Sequence, residues 1–387
     1  MTKKSITILG STGSIGTSTV KVISEHPELY DVQVLTAYNN VELLIEQAKQ
    51  LQPELVVIGN EEKYARLKEA LPDIETATGL FAITEAAKVD TDFTMLAIVG
   101  IAGLKPALAA VRRGKTVALA NKECLVTAGD LFMQEVARHG TTLLPVDSEH
   151  NAVFQAIPHS TLPLEGGGLG GGVEKIILTA SGGPFRTATM QQMREAIPQE
   201  VVAHPNWNMG AKISVDSATM MNKGLEIIEA HHLFNLPSEK IEVVVHPESI
   251  IHGMAAYKDG SVLSQMSNPD MMTPIAHTLA YPNRISAPIK PLNFSQSLTF
   301  YPPDEEKFPA LKLAREALKA GGNIPIIMNG ANEVAVDAFL SRKIGFLDIV
   351  DTVQKCMDKI LPTKIRTIED VLETDAIARK KVAEILN

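Results

Sequence analysis

The chain has 387 residues, 45% hydrophobic and 21% charged, with 36 Lys and Arg against 45 Asp and Glu and a net charge of −9. That length accommodates two or three domains, and the acidic balance excludes a nucleic-acid backbone as the main partner, since that would need a basic surface. Two cysteines exclude a disulfide framework and fit a reducing compartment; with no signal-peptide pattern and no apolar run of membrane-spanning length, the expectation is a cytoplasmic protein with no membrane partner.

The N-terminal third alternates strands and helices. "SITIL" reads as a short buried strand, "GSTGSIG" follows at once, and "TSTVKVISEH" reads as a helix. "DVQVLTA" (31–37) and "ELVVIG" (54–59) are strands, with "NVELLIEQAKQL" helical between them. "KYARLKEAL", "TMLAIVG", "GLKPALAAVRRG", "TVALAN" and "LFMQEVARHG" continue the alternation, and "TTLLPV" (141–146) closes it. This pattern predicts an α/β fold with a doubly wound parallel sheet over residues 1–150.

Beyond residue 150 the pattern changes. "EGGGLGGGV" (165–173) is a glycine tract, expected as an exposed loop. "KIILTA", a helix from about 216 to 234, "IEVVVH" and "SIIHGMAAY" follow, with a Lys-Asp-Gly hairpin signal in "YKDGSVLSQM". Residues 151–281 therefore read as α+β with antiparallel strands. Pro-rich, polar residues 282–309 read as a linker, and 310–387 as a helical bundle. No internal repeat is visible.

Gly10, Gly13 and Gly16 stand in G-x-x-G-x-x-G spacing between the first strand and the first helix. A plain tight turn is one reading. The other is a dinucleotide loop, in which missing Cβ atoms let a pyrophosphate approach a helix N-terminus. An acid that would hold a ribose diol is expected about twenty residues on. The chain has "TAYNN" (36–40) there, so the absence of an acid favours NADP, with Tyr38, Asn39 and Asn40 left to supply contacts.

"PVDSEHNAV" (145–153) sets Asp147, Glu149 and His150 just past the carboxyl end of a predicted strand, where open α/β sheets bind ligands. Two carboxylates so close in sequence need a third ligand to make a metal site. Asn222, Lys223 and Glu226 share one helical face, with Ser217 near that helix's start. They fit a phosphate with a cation beyond it, or an ordinary polar surface; oxygen ligands favour Mg²⁺ or Mn²⁺ over Zn²⁺. Trp207, the only tryptophan, lies in the loop-like "AHPNWNMGAK" and reads as a lid over a ligand or as core. Ser181 in "TASGGPF" suits an anion or a turn, His252 a satisfied core position, and Cys124 a buried small residue rather than a nucleophile.

Together "ILGSTGSIG", "ALANKE", "PVDSEHNAVFQ", "TASGGPF", "HPNWNMGAKISVDSATMMNKGLEIIEA", "HPESIIHGM" and "NGANEVAV" closely resemble the 1-deoxy-D-xylulose 5-phosphate reductoisomerase family of non-mevalonate isoprenoid biosynthesis. The resemblance spans roughly residues 6–336 and implies a homodimer with an NADPH domain, a catalytic domain, a linker and a helical C-terminal domain. It implies Asp147, Glu149 and Glu226 as ligands of Mg²⁺ or Mn²⁺, with Co²⁺ a further candidate. Lys122 and Ser148 would contact the backbone of a small phosphorylated sugar. Ser181, His204, Ser217, Asn222 and Lys223 would hold its phosphate, under a flap carrying Trp207 and Met209. His150 and His252 would support the site, and Met271 would lie near the nicotinamide. Gly10, Thr12, Gly13, Ser14, Ile15 and Gly16 would hold the cofactor pyrophosphate. Gly100, Asn121, Glu123, Met209 and Gly210 would be further cofactor contacts. The implied reaction rearranges and reduces 1-deoxy-D-xylulose 5-phosphate to 2-C-methyl-D-erythritol 4-phosphate. Family members often have glycine, sometimes lysine, where this chain has Tyr38 and Asn39, and alanine at Gly330. A simpler NADP-dependent dehydrogenase and a non-enzymatic NADPH sensor are the alternatives; neither needs three metal acids beside a phosphate cluster.

Overall fold

The computed structural model describes residues 2–158, 172–202 and 210–386. The glycine tract (apart from its last two residues), His204, Trp207 and Met209 thus lie outside the described residues. In chain order the first elements are β1 (Lys4–Leu9), α1 (Ser14–Ser24), β2 (Tyr30–Ala37), α2 (Val41–Leu51), β3 (Leu55–Ile58), α3 (Tyr64–Ala70), β4 (Glu75–Thr78) and α4 (Leu80–Ala86). Then come β5 (Phe93–Leu96), α5 (Leu104–Val111), β6 (Thr116–Leu119), α6 (Glu123–His139), β7 (Thr142–Pro145) and α7 (Ser148–Ala156). The rest comprises β8 (Val173–Ala180), α8 (Met190–Glu195), α9 (Pro198–Val201), α10 (Ala211–Ala218), α11 (Met221–Phe234), β9 (Ile241–Val245), β10 (Ile251–Tyr257) and β11 (Val262–Met266). Five helices close the chain: α12 (Met272–Ala280), α13 (Ala310–Ala320), α14 (Ile324–Leu340), α15 (Asp348–Lys359) and α16 (Ile368–Leu386).

These elements form two compact units: residues 1–124, 132–151 and 270–290 in the first, and 125–131, 152–269 and 291–387 in the second. The first unit is a seven-stranded sheet in the order β4-β3-β2-β1-β5-β6-β7, parallel at every pairing. Its central strands are apolar on both faces; Ile6, Ile8, Val34, Leu35, Val56 and Val57 are all fully buried. That is what helices packed on both sides of a sheet require. Strand order reverses between β1 and β5, so the segments after β1, β2, β5, β6 and β7 all emerge along one edge, the ligand edge of a doubly wound fold. α12 returns to this unit against α1, with Lys4 Nζ donating to the Leu279 carbonyl at 2.7 Å.

The second unit is built on a four-stranded sheet, β11-β10-β8-β9. The strands were expected to be antiparallel; β10 does run antiparallel to β8 and β11, joined to β11 by the turn at Tyr257–Ser261, but β8 and β9 are parallel. The long helical excursion from α8 to α11 makes that crossover possible, since a parallel pair cannot be closed by a tight turn. The expected single helix over 216–234 is two helices, α10 and α11, broken at Met220, which adopts the left-handed φ of +62°. Thr219 Oγ1 donates to the carbonyls of Val215 and Asp216 and accepts from the Met221 N–H, replacing helical bonds with local ones. The C-terminal helices share one apolar core with α11, which includes Leu313, Ala314, Ile327, Met328, Val353 and Val382; α13 packs on α11, and α15 and α16 pack on α14.

Candidate active site

Within the first unit the glycine loop joins β1 to α1. A Cβ on Gly16 would lie 2.3 Å from the Gly10 carbonyl oxygen, and one on Gly10, at φ +88°, would lie 2.7 Å from the Ala97 carbonyl oxygen. Only glycine fits either place. Gly13, extended at φ −77° and ψ 175°, leads into α1 with no side chain capping the first amides. Gly13 and Ser14 are exposed, and Thr12 and Ile15 half-buried, beside those amides. This is a cradle for an anion such as a pyrophosphate.

After β2, Asn40 Oδ1 accepts from the Leu43 N–H at 3.3 Å and caps α2. Asn39 Oδ1 accepts from Asn60 Nδ2 at 2.9 Å, while the exposed ring of Tyr38 packs on the backbone of Gly59. Sequence reading missed Asn60. The signal was available: it follows the end of β3 on the same sheet edge. After β6, buried Asn121 donates to the carbonyls of Ile98 and Gly100 and accepts from the Cys124 N–H at 3.1 Å, so it shapes the loop after β5. Glu123 is buried in the first turn of α6, and Met271 is half-buried just before α12.

Asp147 stands past β7, as its sequence position implied, and α7 starts immediately after it; that helix was not anticipated. The Asn151 N–H donates to the Asp147 carbonyl at 2.8 Å. This turn brings a carboxylate oxygen of Glu149 within 4.8 Å of one on Asp147. Lys122 forms a close ion pair with Asp147 Oδ2, and Ser148 Oγ donates to Glu149 at 2.6 Å. Buried His150 holds Nδ1 3.9 Å from Asp147 Oδ2. Asn151, not predicted from sequence, donates to the Pro145 carbonyl and to His277 Nδ1, fixing the start of α7 from behind.

Within the second unit, Ser181 opens the loop after β8. Its Oγ accepts from the Gly183 N–H at 3.2 Å, and Gly182 and Gly183 take φ of +83° and +66°. A Cβ on Gly183 would lie 2.8 Å from the Ser217 carbonyl oxygen, so two glycines let the Ser181 loop sit against the end of α10. Asn222 and Lys223, in the first turn of α11, both donate to Glu226 through close contacts. Glu226 is fully buried and Lys223 nearly so; neither charge is tolerable there without its partner. The predicted face of Asn222, Lys223 and Glu226 thus exists, and Gly183, hydrogen-bonded to Ser181, seats the loop after β8 against Ser217 at the end of α10. Gly210 is exposed at the start of α10. His252 is buried in β10 with Nε2 2.9 Å from Ser267 Oγ and 3.2 Å from the Ser267 carbonyl.

The chain is similar to known proteins over nearly its whole length. Three family models match: 1-deoxy-D-xylulose 5-phosphate reductoisomerase at residues 6–129, its C-terminal domain at 143–234, and the DXP reductoisomerase C-terminal domain at 266–381. The 1-deoxy-D-xylulose 5-phosphate reductoisomerase of Zymomonas mobilis is 52% identical over 387 residues, covering 99% of this chain and 98% of the relative. That of Rhodospirillum centenum is also 52% identical, covering 99% and 94%. The solved Zymomonas mobilis enzyme in complex with NADPH superposes with a TM-score of 0.93 at 50% identity, covering all of both chains. A DOX-P reductoisomerase in complex with NADPH, fosmidomycin and magnesium superposes with a TM-score of 0.93 at 42% identity, covering 99% and 98%.

Proposed function

The chain belongs to the 1-deoxy-D-xylulose 5-phosphate reductoisomerase family, and we infer that it catalyses the NADPH- and divalent-metal-dependent conversion of that sugar phosphate to 2-C-methyl-D-erythritol 4-phosphate. The observation that carries the inference is the carboxylate pair Asp147–Glu149 at the ligand edge of the sheet, held by Lys122 and Ser148. When bound, NADPH supplies the reducing electrons and the divalent cation polarises the α-hydroxyketone of the substrate.

Asp147, Glu149 and Glu226 are the ligands in this reading; their all-oxygen donor set suits Mg²⁺ or Mn²⁺. Lys122, paired with Asp147, orients the substrate backbone together with Ser148. Asn222 and Lys223 trade Glu226 for the substrate phosphate, to which Ser181, Ser217 and His204 also donate. That exchange leaves no buried charge unpaired at either stage. The phosphate handle provides remote binding energy that holds the reacting carbons in place. His150 and His252 support these groups, and Trp207 and Met209 close over the substrate and exclude water. Thr12, Gly13, Ser14 and Ile15 hold the cofactor pyrophosphate, Tyr38, Asn39 and Asn40 its ribose phosphate, and Met271 lies by the nicotinamide. The enzyme works as a cytoplasmic homodimer; among the described residues no helix is long and apolar enough to cross a membrane.

The test follows NADPH absorbance with chelator-treated protein and 1-deoxy-D-xylulose 5-phosphate, before and after adding Mn²⁺. Metal-dependent NADPH loss with methylerythritol phosphate as product is expected. No loss in either condition, from folded protein that binds NADPH, would overturn the assignment.

A further inference from the structure

Ser217 lies in the last turn of α10, and something must fix that short helix against the rest of its unit. Its neighbour Asp216 is buried on another face of the helix, 1% exposed. Asp216 Oδ1 accepts from Asn332 Nδ2 at 2.7 Å, and Oδ2 lies 3.1 Å from Lys212 Nζ, one turn earlier in α10. Asn332 sits in the middle of α14 and is fully buried; its own Oδ1 has no hydrogen-bond partner among the described residues. A buried amide with one half unsatisfied is a poor choice for packing alone, where an apolar side chain would serve better. Among the described residues its side chain bonds to the residue beside Ser217.

We propose that Asn332 is a positioning residue for the phosphate end of the substrate: through Asp216 it sets where α10 lies, and so where Ser217 stands against the Ser181–Gly183 loop. The inference rests on the phosphate reading of Ser181, Ser217, Asn222 and Lys223. Asp216 is the relay, because its two oxygens tie the helical bundle to the first turn of α10 at once.

The test compares Asn332→Ala and Ser217→Ala in the full-length enzyme under steady-state conditions, with thermal unfolding as the check on folding. Asn332→Ala is expected to raise the KM for the sugar phosphate about tenfold, the scale of a hydrogen bond to a charged group, with kcat within about twofold and the KM for NADPH unchanged. Asn332→Ser, too short to reach Asp216, gives the same reading should the alanine variant not fold. The exchange Asp216→Asn with Asn332→Asp, which rebuilds the bond in the opposite sense, is expected to recover most of the lost affinity. Asn332→Ala with lowered thermal stability but parental KM, while Ser217→Ala raises KM, would overturn the positioning role and leave the phosphate pocket standing. Ser217→Ala with parental KM would remove the pocket and this inference together.

Discussion

At the level of single residues, the glycine loop and the acid pair make opposite demands. The loop needs missing atoms: the Cβ of Gly16→Ala would be driven to 2.3 Å from the Gly10 carbonyl oxygen. This clash is with backbone and cannot be relieved by a rotamer change. The variant is expected to lose about 1–3 kcal/mol of stability and to bind NADPH more weakly, read by thermal unfolding and by nicotinamide fluorescence titration. The acid pair needs charge. Asp147→Asn keeps the size but removes the ion pair with Lys122 and the proposed carboxylate ligand. Activity at limiting Mn²⁺ should fall ~100-fold or more, with part recovered at high metal; parental turnover at limiting metal would remove Asp147 from the ligand set. The position of both segments was legible in sequence because each is a short run at the end of a strand. Asn60 and Asn151 were not, since each is recognisable only by what it touches: Asn39 in one case, Pro145 and His277 in the other.

Among the elements, the α10–α11 break is the instructive difference. Residues 216–234 read as one helix because nothing in them is a strong breaker; the break depends on Thr219 bonding its own neighbourhood and on Met220 taking the left-handed region. Without that break Ser217 and the pair Asn222–Lys223 would follow one straight helix axis. Gly183 makes the junction complete by seating the β8 loop on it. Gly183→Ala puts a methyl group 2.8 Å from the Ser217 carbonyl oxygen in a residue already at φ +66°. Two penalties act together, positive φ and backbone contact, so the KM for the sugar phosphate is expected to rise more than tenfold, with NADPH affinity unchanged. Equal changes in both would mean that the loop serves general stability. The parallel pairing of β8 with β9 belongs at this scale too. The hairpin at 257–261 had a local signal, whereas the crossover through α8–α11 has none.

For the whole molecule, the half-buried imidazole of His232 ties pH to stability. Its ring lies on the backbone of Gly129, where a Cβ would come within 2.2 Å of it, and edge-on to His231 at 4.8 Å. Burial, and then the neighbouring His231, push its pKa down to about 4, only partly opposed by Asp130. The unfolded chain takes up this proton near 6.5, the folded chain near 4. Unfolding therefore binds a proton between these values, and stability falls as pH drops through that window. The loss at pH 5 is expected to be on the order of 2 kcal/mol. Thermal unfolding at pH 7 and pH 5 should show a smaller difference for His232→Gln than for the parent; an equal difference would place the acid sensitivity elsewhere.

By itself the sequence determined what neighbours along the chain can encode. The strand–helix alternation of residues 1–150, the glycine loop after β1, the acids past β7 and the shared face of Asn222, Lys223 and Glu226 all rest on periodicities of two or 3.6 residues. Its long motifs also identified the family. The tertiary structure alone decided which distant segments meet: α12 returning to α1 across more than two hundred residues, β8 running parallel to β9, and Asn332 reaching Asp216. The physical reason is one of range. A helix face or a strand alternation is set by local backbone geometry, whereas a buried amide acquires a partner only when the fold has closed and removed water as the competitor.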